Sequence, residues 1–166
     1  MLIAFVAFGT STCTAQSKYD AVGGVFRIYQ WSIGEYTDAN NQQDDLSIIT
    51  AQNGFGFRAD DHGSTADTAT PLDLSVGATG IIEQREDLDF FSLTLERPGT
   101  VTVTISPDGL APNLDIEAVL YDASGAVLQT ANPEVELHAA LEVSLTAGEY
   151  HLSVDGVGYD DPKSDG

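Results

Sequence analysis

The chain has 166 residues, the size of one ordinary domain with a flanking piece, and its 42% hydrophobic content suffices for a core, which argues against wholesale disorder. Its 26 acidic and 6 basic residues leave a net charge of −20, so nucleic acid and anionic membrane, which are held by Lys and Arg, are disfavoured as partners. The single cysteine, Cys13, excludes an intrachain disulfide and a cysteine-built zinc cluster.

Leu2–Phe8 is an apolar run too short to span a bilayer as a helix. It matches the core of a signal peptide in part, but no Lys or Arg precedes it. Residues 1–27 carry no clear period and are assigned no fold; they read as a leader or a displaced gene start. Asn40 and Asn41 suit a helix N-cap, Asp44 and Asp45 its first turn, and Leu46, Ile48 and Ile49 one apolar face, so a short helix ending near Gly54 is expected. Gly54 to Pro71 is rich in turn formers and small polar residues and reads as a linker, with the domain boundary inside it.

From Gly80 the pattern changes to a period of two, with turn signals at intervals of roughly ten residues, as in a sandwich. Strands are expected at Gly80–Gln84, Asp87–Leu95, Thr100–Ser106, Asn113–Tyr121, Ala126–Ala131, Leu137–Leu145 and Glu149–Gly156. Phe91, Leu93 and Leu95 share one face, and Val101, Val103 and Ile105 share another. Pro98-Gly99 between them reads as a hairpin turn. Each strand has one dry face, so the fold class expected is all-β: an antiparallel β-sandwich, with an irregular N-terminal segment carrying one short helix.

Five motifs in order, Asp-Leu-Asp-Phe-Phe-Ser-Leu at 87–93, Pro-Asn-Leu-Asp-Ile at 112–116, Leu-Tyr-Asp-Ala-Ser-Gly at 120–125, Ala-Gly-Glu-Tyr at 147–150 and Val-Asp-Gly-Val-Gly at 154–158, resemble the bacterial pre-peptidase C-terminal domain. The resemblance covers roughly Thr70 to Gly166. It implies an antiparallel β-sandwich, jelly-roll-like, as a module appended to secreted peptidases. Gln-Trp-Ser-x-Gly-Glu-Tyr at 30–36, Ala-Asn-Asn at 39–41, Asp-Asp-Leu-Ser-Ile-Ile at 44–49 and Arg-Ala-Asp-Asp-His-Gly at 58–63 resemble the segment that closes reprolysin-like zinc metallopeptidase domains. The zinc-binding pattern His-Glu-x-x-His is absent. The family's last strand would follow Gly166. The division implied is 1–27 unassigned, 28–56 a peptidase remnant, 57–71 a linker and 72–166 a sandwich lacking its last strand.

For chemistry, His62, His138 and His151 are the only histidines and are not spaced for one helix face, so no zinc site is expected. Calcium, held by six to eight oxygens that are often on loops, suits the acid clusters better. These are Asp60-Asp61; Asp87 with Asp89; and Asp155 with Asp160-Asp161, with Asn113 and Asp115 able to join the second or third. The plain alternative is that these are turn residues and solvated strand ends. Phe90 and Tyr121 fall on outer faces and Tyr159 in the final loop, where aromatics suit binding to protein or sugar. The alternative there is that Phe90 merely covers a sheet edge or packs under the linker.

The function expected is a non-catalytic, secreted accessory module of a metallopeptidase, aiding its substrate binding, secretion or stability. Its partners would be the parent peptidase domain and an extracellular protein or polysaccharide. The competing expectation is a stand-alone calcium-dependent adhesion or carbohydrate-binding module; turnover of a peptide or ester by the chain alone would point instead to a hydrolase.

Overall fold

Alternation of apolar with hydroxyl or charged side chains dictates strands with one wet and one dry face, and the chain buries the dry faces against each other. A computed structural model describes residues 2–10, 48, 50–52, 54, 56–84, 86–108, 112 and 114–157. Its strands are β1 (Leu2–Thr10), β2 (Thr70–Pro71), β3 (Ala78–Ile82), β4 (Leu88–Leu95), β5 (Gly99–Pro107), β6 (Ile116–Asp122), β7 (Val127–Ala131), β8 (Ala139–Leu145) and β9 (Gly148–Gly156). They form a four-stranded sheet in the order β3-β1-β5-β8 and a five-stranded sheet in the order β2-β4-β9-β6-β7. The architecture is a β-sandwich.

The core lies between the sheets. Phe91, Leu93, Ile116, Leu120 and Leu152 from the five-stranded sheet meet Val101, Val103, Ile105 and Leu141 from the other, all 2% exposed or less. All seven strands expected from the period are present, with ends shifted by up to three residues. Tyr150 is also buried, and its hydroxyl donates to the Thr146 carbonyl at 3.1 Å, closing the corner between β8 and β9. Tyr150→Phe keeps the ring but leaves that carbonyl without this donor. It is expected to lower the unfolding free energy by about 1 kcal/mol in a urea titration; no change would mean that water replaces the bond.

Three features depart from the sequence reading. Pro98-Gly99 is not a hairpin turn, because β4 and β5 belong to different sheets. The chain crosses the core there, so the apolar faces of the two strands oppose each other. Alternation and a turn signal are common to a hairpin and a crossover, which is why the pattern cannot separate them. Leu2–Thr10, assigned no fold, is a strand between β3 and β5 and parallel to both. Its register sets Leu2, Ala4 and Val6 level with Val101, Val103 and Ile105. With the β2–β4 pairing also parallel, an otherwise antiparallel sandwich contains three parallel ladders.

The linker is also more structured than its composition suggests. It holds a 3-10 turn at Ala66–Thr68, ends in β2, and its Gly63 carbonyl accepts from the Phe90 N–H at 3.0 Å. Residues 48 and 50–52 are helical where a short helix is expected. The apolar anchors Leu46 and Ile49 lie outside the described residues.

Candidate metal centre

The feature that breaks the β-pattern is Asp89. It shares the inward face of β4 with Phe91 and Leu93, where a core residue belongs, and it is fully buried. Asp87 stands one residue before β4, and Glu83 one residue after β3, so the short β3–β4 connection gathers three carboxyl groups at one end of the sandwich. Glu83 is 2% exposed and Asp87 is 8% exposed. The Glu83 backbone N–H donates to Asp87 Oδ2 at 2.8 Å, which sets the turn.

The segment from Asp60 to Gly63 brings the remaining groups. The Ile81 N–H donates to Asp61 Oδ1 at 3.3 Å, and the His62 N–H donates to Asp60 Oδ1 at 2.9 Å. The His62 ring is the clasp. Its Nε2 lies 2.9 Å from the Thr79 carbonyl and its Nδ1 2.9 Å from Thr70 Oγ1, while its centroid sits 4.6 Å from that of Phe91. A carbonyl only accepts, so Nε2 carries a proton and donates to Thr79, while Nδ1 is engaged with the threonine hydroxyl.

Two sets of ligand atoms converge, each within 4.8 Å: Asp61, His62 and Asp89 in one, Asp60, Glu83 and Asp87 in the other. Both His62 nitrogens are already engaged, so the useful donors are five carboxylates. Both carboxyl oxygens of Glu83 and both of Asp89 have no hydrogen-bond partner. A buried carboxylate without a partner is strongly disfavoured, so the group takes up a proton or a cation. Burial first, then the neighbouring Asp87 carboxyl and the charges of Asp61 and Asp60, pushes Glu83 up to about 7. Burial first, then the charges of Asp87, Asp61, Glu83 and Asp60, pushes Asp89 up to about 8.

An all-oxygen, strongly anionic set without thiolate suits a hard cation such as calcium rather than zinc, so the residues present fit the group that the acid clusters suggest. Of the residues singled out from sequence, Asp87 and Asp89 are brought together with Asp60-Asp61. Asp115 and Asp155 lie half-buried where β6, β9 and β4 adjoin, and belong to neither ligand set. Asn113, Tyr159, Asp160 and Asp161 lie outside the described residues. Glu83 escaped notice because it reads as the tail of a strand. Its signal is the spacing Glu83-x-x-x-Asp87-x-Asp89, a turn carrying a carboxylate at each end.

On the outer face of the five-stranded sheet, Phe90 and Tyr121 stand on β4 and β6 and reach over the intervening β9. Their centroids are 5.9 Å apart and their planes 20° from parallel. Ser153, beneath them, is 3% exposed, and its hydroxyl lies 3.5 Å from the Tyr121 oxygen. His151 on the same face is half-buried, and His138, exposed before β8, stands 3.8 Å from Glu136.

No helix among the described residues is long and apolar enough to cross a membrane. No family model and no curated protein matches the chain. Among solved structures, part of the chain is similar to the pre-peptidase C-terminal domain of a collagenase from Bacillus anthracis, at 12% identity and a TM-score of 0.38, over 47% of this chain and 72% of that one.

Proposed function

We propose that this chain is a non-catalytic accessory module, exported with a peptidase, whose working form holds calcium between the β3–β4 connection and the Asp60–Gly63 segment. The observation that carries the metal is the pair Glu83 and Asp89: buried, without hydrogen-bond partners, and facing three further carboxylates. Calcium would neutralise the cluster and fasten the segment preceding the sandwich onto it. That is a structural task, suited to a module that holds a neighbouring domain in position outside the cell, where free calcium is plentiful. The link to a peptidase rests on the five motifs that resemble the pre-peptidase C-terminal domain.

The second reading, a calcium-dependent adhesion or carbohydrate-binding module, draws on the stacked Phe90 and Tyr121 pair, which offers an aromatic surface to an extracellular protein or polysaccharide. Both readings share the metal. Isothermal titration of CaCl2 into the EDTA-stripped chain is expected to give saturable binding. Asp89→Asn should weaken it by at least about tenfold, the scale already seen for losing an outer-shell partner of a metal ligand. Absence of binding heat, across temperatures chosen to expose it, removes the calcium site. Retention on immobilised polysaccharide that Tyr121→Ala abolishes would favour the second reading over the first.

A further inference from the structure

A sheet edge presents unpaired N–H and C=O groups, and monomers guard such edges with charge, proline, short strands or a covering segment. Of the four outer strands described here, three are guarded. β2 is two residues long and one of them is Pro71. β3 is covered, since its Ile81 N–H is taken by Asp61 and its Thr79 carbonyl by His62. β8 carries the exposed Glu142 midway along its length and follows Glu136 and His138.

β7 is different. Among the described residues it has β6 on one side only, and no residue from Ala123 to Pro133 is charged in a chain where 19% of residues are. Val127 is 58% exposed and Leu128 41%, where the β6–β7 ladder shifts register between Leu120 and Tyr121, and Val135 just beyond is 67% exposed. At one end of this stretch Asp122 is turned inward to the β6–β7 turn, where its Oδ1 accepts from the Ser124 N–H, the Ser124 hydroxyl and the Ala126 N–H, and at the other end Glu117 of β6 accepts from the Asn132 amide at 3.4 Å.

We propose that β7 is a self-association edge: Val127–Ala131 of one chain pairs antiparallel with the same strand of a second copy about a twofold axis. Two five-stranded sheets then continue into each other. The charge distribution selects this occupant. Two chains of −20 repel over most of their surfaces, and the uncharged β7 edge is where they approach at least cost. A basic partner would find no carboxylate on the strand itself to recognise. The contact is a few residues a side, well below the roughly 1,200 Å² of a stable complex, so the dimer is weak and reversible.

Sedimentation velocity of the whole chain, with calcium held constant, tests this. The mass average is expected to rise towards twofold between about 10 μM and 1 mM, the range of weak contacts. The rise should be steeper at about 0.5 M than at 0.05 M salt, because screening relieves the repulsion. Val127→Glu with Thr130→Glu places like charges across the twofold and should restore the monomer at every concentration. Both sites are exposed, so the melting temperature of this variant is the check that the fold is intact. A monomer at all concentrations in high salt overturns the proposal, and so does a dimer that the folded double variant still forms.

Discussion

Withdrawing calcium from the loaded chain with EDTA at pH 8 is expected to lower its melting temperature by roughly 5–11 °C, taking about 100-fold saturation as ~2.7 kcal/mol and about 2–4 °C per kcal/mol for a chain of this length. The size of the drop should depend on pH in a direction fixed by Glu83 and Asp89. Their ordinary values are 4.5 and 3.8, and in the metal-free fold they stand at about 7 and about 8. The fold therefore keeps protons that the unfolded chain releases. Their contribution to the metal-free chain is full below the unfolded values, under pH 3.8. It is lost as pH rises towards the folded values, by up to about 1.4 kcal/mol per pH unit for each proton held. Calcium replaces those protons, so its stabilising effect should be small at pH 5 and large at pH 8. Asp89→Asn should separate the two roles: metal-free it should melt higher than the native chain at pH 8, because a buried charge is gone, yet it should respond little to calcium. Identical melting curves with and without EDTA across this pH range would falsify the metal centre.

The second large effect concerns two adjacent phenylalanines on opposite faces of β4. Phe91 is fully buried between the sheets and also backs the His62 ring, so Phe91→Ala should reduce the unfolding free energy by about 3–5 kcal/mol. Phe90 is half-buried on the outer face, where its neighbour is Tyr121, so Phe90→Ala should remove about 1 kcal/mol, the scale of one aromatic pair. Urea unfolding of the two variants measures the difference directly. Equal losses would mean that the outer face of the five-stranded sheet is covered rather than open. Because His62 leans on Phe91, the Phe91 variant should also bind calcium less tightly, whereas the Phe90 variant should not.

The faces of the strands were legible because burial imposes a strict period. Leu114, Ile116, Ala118 and Leu120 alternate in the chain and are all buried. The pairing of strands was not legible. Nothing in Glu96-Arg97-Pro98-Gly99 distinguishes a turn within one sheet from a corner between two, and that choice rests on which apolar faces fill the core together. The same gap limits the reading of the site. Asp87 and Asp89 could be marked because they are neighbours in sequence. Their company with Asp60, Asp61 and Glu83 depends on the Asp60–Gly63 segment folding back over β3, held by His62 contacts to Thr70 and Thr79 that no local rule announces. Asp115 and Asp155 show the converse: high acid density at sequence positions that the fold places outside both ligand sets.

The position of β9 has a consequence for how the chain reaches this state. β9 lies between β4 and β6, so each lacks its main ladder until Gly148–Gly156 has been made; Leu88, for instance, pairs with Asp155. Nearly the whole sandwich must therefore be synthesised before its larger sheet can zip together. High contact order of this kind gives folding in milliseconds to seconds rather than microseconds. Nascent chains stalled before Tyr150 should be collapsed and chaperone-dependent, with β4 and β6 exposed on the ribosome.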